Sequence, residues 1–109
     1  MKNGVPSGVA AKIRADGLFV RGAALSIKFI PGTETIFAPV VSKRQGNAVE
    51  RNRVKRVVRH LFAEYAGDVP GGSYLLYIRG QCESFSREAV RRDVTTFLSR
   101  SRPVSAREG

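Results

Sequence analysis

The stretch NAVERNRVKRVVRHLFAEY, residues 47–65, decides the architecture of this chain. Val54, Val57, Val58, Leu61, Phe62 and Tyr65 recur at i, i+3, i+4, i+7, i+8 and i+11, which lines one side of an α-helix. The β-branched valines lower helix propensity slightly, but the periodicity outweighs it. Gly67 and Pro70-Gly71-Gly72 close the segment. Arg51, Asn52, Lys55, Arg56 and Arg59 fall on a sector beside the apolar one, with Arg53 and His60 further round. The spacing therefore predicts a helix that buries one face and offers a basic face to solvent.

Working outward, Ser73–Arg79 (SYLLYIR) is a continuous apolar run of strand length and reads as a central strand. On the other side, Ala24–Ile30 alternates Leu25, Ile27 and Phe29 with Ser26 and Lys28, the pattern of a half-buried strand. Pro31-Gly32-Thr33 makes a turn into a second strand at Thr35–Ser42. Pro39 is awkward there, because proline cannot donate to a ladder and prefers edges or bulges. A short helix is expected around Val9–Ile13, ended by Asp16-Gly17. A last helix, capped by Ser84 or Ser86, gathers Phe85, Ala89, Val90, Val94, Phe97 and Leu98 on one face. The expected fold class is α+β: one domain over residues 1–109, a sandwich of one sheet with packed helices. Residues 1–8 and 101–109 are expected to be flexible.

Composition narrows the chemistry. The 109 residues hold 19 Lys+Arg against 9 Asp+Glu, for a net charge of +10. Residues 43–59 alone carry seven basic side chains and only Glu50 as an acid, so more than half of the excess lies in that segment. An ordinary surface helix mixes signs and uses i,i+4 ion pairs. A concentrated basic face instead calls for a polyanion, because counterion release favours each phosphate contact. A basic amphipathic helix bound to a membrane exposes its apolar face to lipid. This helix needs that face for the core, and the chain has no Trp. Nucleic acid is preferred, and the excess of arginine over lysine suits forked contacts to phosphate. No run approaches the roughly 18 apolar residues of a membrane span, and the N-terminus lacks the apolar stretch of a signal peptide. The reading is a small soluble protein of the cytoplasm.

From Ser42 the text runs SKRQGNAVERNRVKRVVRHLF. It resembles the signature of the bacterial ribonuclease P protein subunit at Ser42, Lys43, Arg44, Gly46, Asn47, Ala48, Val49, Arg51, Asn52, Arg53, Lys55 and Arg56. The likeness continues more weakly through SYLLYIRG and the closing helix. The resemblance implies a mixed four-stranded sheet with elements in the order αβββαβα and a left-handed βαβ crossover, an exception to the usual handedness. It implies the protein cofactor of a catalytic RNA, ribonuclease P RNA, which removes the 5′ leader from precursor tRNA, with Mg²⁺ bound mainly by the RNA. No residue of the chain is then catalytic, and no small-molecule substrate or membrane is involved. Carried over, Lys43, Arg44, Asn47, Arg51, Asn52, Arg53, Lys55, Arg56 and Arg59 form the RNA-facing set. Arg79 looks like a position of a leader-binding cleft between the first helix and the sheet, with either Lys28 or Phe29 opposite it. The chain departs from the family in having no aromatic residue in its first helix, where Val9–Ile13 is the nearest match, and in Pro39, which leaves open whether the local pairing bulges.

The remaining reactive groups point away from catalysis by the chain. His60 has no ligand partners in sequence, Cys82 is the single cysteine and reads as a bystander thiol, and the acids form no paired-carboxylate motif. A self-sufficient metal nuclease would need clustered Asp, Glu or His. The alternative to the ribonuclease P reading is a general RNA-binding or ribosome-associated protein without a role in cleavage. A protein-only nuclease ranks behind both.

Overall fold

A computed structural model of the chain describes residues 4–101. The elements run α1 (Ser7–Asp16), β1 (Leu18–Val20), β2 (Leu25–Pro31), β3 (Thr35–Val40), α2 (Ala48–Tyr65), β4 (Gly72–Ile78) and α3 (Arg87–Ser101). Single 3₁₀ turns at Lys43–Gln45 and Cys82–Ser84 precede the two long helices. The four strands form one mixed sheet in the order β1-β2-β4-β3, with β1–β2 and β2–β4 antiparallel and β3–β4 parallel. The α+β class and the αβββαβα order are as expected.

Each strand follows from its residues. β4 is central, and Tyr74, Leu75, Leu76 and Ile78 are all buried, which is why its sequence is apolar without alternation. β3 is an edge strand, and its register runs unbroken from Thr35 opposite Gly72 to Val40 opposite Tyr77. Of the two alternatives open at Pro39, the edge position holds and no bulge forms. In an edge strand every second N–H points away from the neighbouring strand, so a proline is accommodated without interrupting the pairing. β1 is three residues long, too short to show a period, and is recognised only by its pairing with β2.

Helices α2 and α3 pack on one face of the sheet and α1 on the other. On the α2/α3 face, Leu25, Ile27, Phe29, Phe37, Tyr74, Leu76 and Ile78 meet Val54, Val58, Leu61 and Phe62 of α2 and Val90, Val94 and Phe97 of α3. The centre is aromatic: Phe29 stacks on Tyr74 at 4.9 Å between centroids, and Phe62 lies 4.9 Å from Phe37 and 5.3 Å from Tyr74. Phe97 meets Phe29 edge-on at 5.6 Å. This settles which neighbour faces the α1 side. Phe29 is a core residue and is removed from the cleft candidates, whereas Lys28 points to the opposite face.

On that opposite face α1 buries Ile13 completely, and Leu75 of β4 is buried there as well. The helix ends where expected. The Gly17 N–H donates to the Ile13 carbonyl at 2.7 Å. A Cβ at Gly17 would sit 2.5 Å from that oxygen and 3.1 Å from Lys28 Cγ, so the junction admits only glycine. Helix α1 also takes in Ser7 and Gly8, which sequence alone groups with a flexible end, because the Pro6 carbonyl accepts the first helical bond from Ala10. The remainder of the two ends, residues 1–3 and 102–109, lies outside the described residues.

One carboxylate ties α3 to the start of β2. Asp93 Oδ2 accepts from the Ala24 N–H at 2.7 Å and the Leu25 N–H at 2.8 Å, fixing the β1–β2 turn. A second anchor is the Tyr74 hydroxyl, which donates to the Pro70 carbonyl below the end of α2. Burial pushes the Tyr74 pKa well above the ordinary tyrosine value. Above pH 10 the unfolded chain therefore loses a proton that the folded chain keeps, and stability falls as pH rises. Tyr74→Phe is expected to lower stability near neutral pH by about 0.5–1.5 kcal/mol and to flatten the alkaline loss, as read from denaturant unfolding between pH 7 and 11.

Candidate nucleic-acid interface

The signature segment is built as a braced loop leading into α2. Gln45 accepts from the Ser42 N–H at 2.8 Å and donates through Nε2 to the carbonyls of Ile78 at 2.8 Å and Gly80 at 2.7 Å. This fastens the loop to the end of β4. A Cβ on Gly46 would lie 3.1 Å from Cys82 Sγ and 2.8 Å from Glu50 Oε1, so a side chain there would force the loop off the Cys82 turn. Asn47 and Glu50 form a reciprocal capping box: Asn47 Oδ1 accepts from the Glu50 N–H at 2.8 Å, and Glu50 Oε1 accepts from the Asn47 N–H at 3.0 Å. Arg51 Nε donates to the Gly46 carbonyl at 3.1 Å. Asn47 and Arg51, which the sequence reading assigns to RNA contact, shape the loop that carries Lys43 and Arg44 exposed at its tip.

Along α2, Val54, Val58, Leu61 and Phe62 are buried. Asn52, Arg53 and Arg56 are exposed, while Arg51, Lys55 and Arg59 flank them half-buried. The N-terminal turn adds Val49, 78% exposed, an apolar side chain beside the basic ones. Sequence reasoning misses what α3 contributes. Arg87 and Arg91 border an open groove of about 450 Å³ together with Arg53, Arg56, His60 and Glu64. Only Arg91 is ion-paired among the groove's described residues, to Glu64 at 2.8 Å. The i,i+4 spacing of Arg87 and Arg91 beside the buried Val90 and Val94 is the signal that could have found them. Cys82 lies beneath the loop, buried, and burial pushes its thiol up, with Glu50 adding and Arg51 and Arg53 opposing. It is a packing residue.

The second site lies beside α1, on the same side of the sheet. An open cavity of about 370 Å³ is lined by Phe19, Ser26, Lys28, Tyr77, Ile78 and Arg79. Lys28 and Arg79 are therefore brought together at one cavity. Lys28 Nζ donates to the Arg14 carbonyl at 2.7 Å, in the last turn of α1, and Arg79 donates to Ser26 Oγ at 3.3 Å. Both bonds hold the cationic stems upright without neutralising them. Phe19, Ser26 and Tyr77 join the site through alternation and cross-strand register, since Phe19 pairs with Lys28 and Ser26 with Tyr77. Among the described residues no three His, Cys, Asp or Glu side chains converge.

A sequence model of the family described as Ribonuclease P matches residues 11–102, spanning both sites. The chain belongs to the ribonuclease P protein family. It is 33% identical over 84 residues to the ribonuclease P protein component of Coprothermobacter proteolyticus, covering 77% of this chain and 71% of that one. With the ribonuclease P protein component of a Nitratiruptor strain it shares 30% over 90 residues, covering 78% and 83%. Among solved structures, the ribonuclease P protein of Thermotoga maritima superposes with a TM-score of 0.77 at 22% identity, covering 92% of this chain and 97% of that one. The Staphylococcus aureus protein gives 0.74 at 18%, covering 87% and 90%. The two structures show the fold, and the sequence relatives carry the role: the protein subunit of a ribonucleoprotein endoribonuclease, ribonuclease P, acting with its RNA. No helix among the described residues is long and apolar enough to cross a membrane.

Proposed function

We propose that the chain docks on ribonuclease P RNA through the loop at Lys43–Gln45 and the basic face of α2. In this reading it holds the single-stranded 5′ leader of precursor tRNA in the cleft beside α1. The observation that carries the reading is the fastening of Gln45 to the carbonyls of Ile78 and Gly80, which flank Arg79. The docking loop and the cleft share that end of β4, so a protein seated on RNA by the one has the other at a fixed offset. The RNA-facing set is Lys43, Arg44, Asn47, Arg51, Asn52, Arg53, Lys55, Arg56 and Arg59, extended by Arg87 and Arg91. The cleft uses Lys28 and Arg79 for leader phosphates. Arginine contacts reduce phosphate repulsion between two RNAs brought close together. Only the precursor has a leader, so a leader grip favours precursor over mature tRNA. Mg²⁺ is carried mainly by the RNA, and the cytoplasm is the compartment this role requires.

Reconstitution tests it. Full chain plus catalytic RNA, given precursor tRNA at low Mg²⁺, is expected to cleave faster than the RNA alone. The gain is expected to grow with leader length until the leader spans the cleft. No gain at low Mg²⁺ refutes the subunit docking proposed here, and a gain independent of leader length refutes the cleft.

A further inference from the structure

Helix α2 carries one large apolar side chain that its fold does not use. Val54, Val58, Leu61 and Phe62 are buried and Val57 and Tyr65 are half-buried, whereas Val49 is 78% exposed. At about 100° per residue, Val49 lies opposite the centre of the buried face. It shares a strip with Asn52, Arg53, Arg56 and His60, at i+3, i+4, i+7 and i+11, and all five are exposed. Local preference does not explain a valine there. It stands two residues past the Asn47 cap, in the first turn. An exposed β-branched side chain is a poorer helix former than alanine, and the helix dipole favours an acid at that end. A lone valine on an ordinary surface calls for no account. This one heads a strip of cations and follows the loop that presents Lys43 and Arg44. The charge decides what can cover it. A second copy of the chain would set cation against cation, and a bilayer needs a wider apolar face than one side chain. RNA offers phosphates to the arginines and, between them, sugars and base faces.

We infer that Val49 is a specificity-determining residue of the docking face. It packs against one apolar nucleoside surface of ribonuclease P RNA, between the phosphates taken by Arg53 and by the Lys43–Arg44 loop. The inference rests on the proposed docking of α2 and adds to it a contact of another kind. A phosphate contact is made with any RNA and weakens with salt. An apolar contact releases no counterion, and it forms only where the RNA fold sets a sugar or base at the right offset from those phosphates. The cations then supply affinity, and Val49 supplies part of the choice among RNAs.

The test measures binding of the full chain to ribonuclease P RNA and to polyuridylate, each across about 50–400 mM salt. Val49→Ala is expected to weaken binding to ribonuclease P RNA by about four- to fifteenfold, the loss of one or two buried carbons. The salt slope should stay unchanged, and binding to polyuridylate should stay at the wild-type value. Alanine is the better helix former, so the melting temperature should hold or rise, and unfolding then cannot account for the loss. Val49→Thr keeps the shape but must bury a hydroxyl, so it should lose as much as Val49→Ala. An equal loss on polyuridylate, a slope that falls with the affinity, or wild-type binding by Val49→Thr overturns the inference. If Val49→Ala is silent while Arg53→Ala lowers the slope, the apolar contact fails and the docking face stands. If both are silent, the docking face fails as well.

Discussion

Arg53→Glu combined with Arg56→Glu is expected to weaken assembly with ribonuclease P RNA by about thirtyfold or more at physiological salt. Both side chains are exposed, and neither has an ion-pair partner among the described residues. Their attraction is therefore available to a phosphate. Each phosphate contact contributes a slope near 0.9 in the dependence of log affinity on log salt. Losing two contacts lowers that slope by about 1.8, which at 0.15 M amounts to a factor of about thirty. The two introduced carboxylates then face phosphate, which increases the loss. Neither substitution touches the buried side of α2, so thermal stability should change little, within about 0.5 kcal/mol each. Filter binding across 50–400 mM salt checks both parts. An unchanged slope would remove this face of α2 from the interface. Arg87→Ala, across the groove, should lower the slope by up to about one unit if α3 shares the docking surface.

What could be read before the structure depended on how local the information was. Helix α2 was legible because its six apolar residues, Val54 to Tyr65, repeat over about three turns. A cap for α3 could be narrowed to Ser84 or Ser86 because a cap stands next to its helix, and it is the Ser86 Oγ that accepts from the Ala89 N–H at 3.1 Å. The edge position of β3 was hinted at by Pro39, but whether the strand would bulge depended on its neighbour. The choice between Lys28 and Phe29 was open because alternation assigns opposite faces without saying which face α1 covers. Three features were not legible. β1 has too few residues for a pattern. The bonds from Gln45 to Ile78 and Gly80 span 33 and 35 residues, and those from Asp93 to Ala24 and Leu25 span 69 and 68. Nothing in a glutamine or an aspartate announces so distant a partner. The candidate site divided along the same line: the signature stood in one contiguous segment, whereas the cavity draws Phe19 and Lys28 from two strands and Arg79 from just past the end of a third.

Phe62→Ala is expected to have the largest effect on stability, and it separates folding from docking. Phe62 is 1% exposed and lies against both Phe37 and Tyr74, so truncation opens a cavity where α2 meets the sheet. Phe→Ala changes in such cores cost about 3–5 kcal/mol, against a total near 5–15 kcal/mol for domains of ordinary size. The melting temperature should fall by more than 10 °C, with Phe62→Leu falling less because most of the volume stays filled. The docking surface keeps its charges, so the salt slope of RNA binding should match wild type, and apparent affinity should drop only by the fraction of chain left folded. RNA that binds only the folded state should also restore stability, by about 2.7 kcal/mol at a hundred times its dissociation constant. At that same RNA concentration the Arg53→Glu, Arg56→Glu protein should gain far less, although it starts from near wild-type stability. Loss of the salt slope in Phe62→Ala, or equal rescue of both proteins by RNA, would mean that the basic face of α2 and its buried face do not act separately.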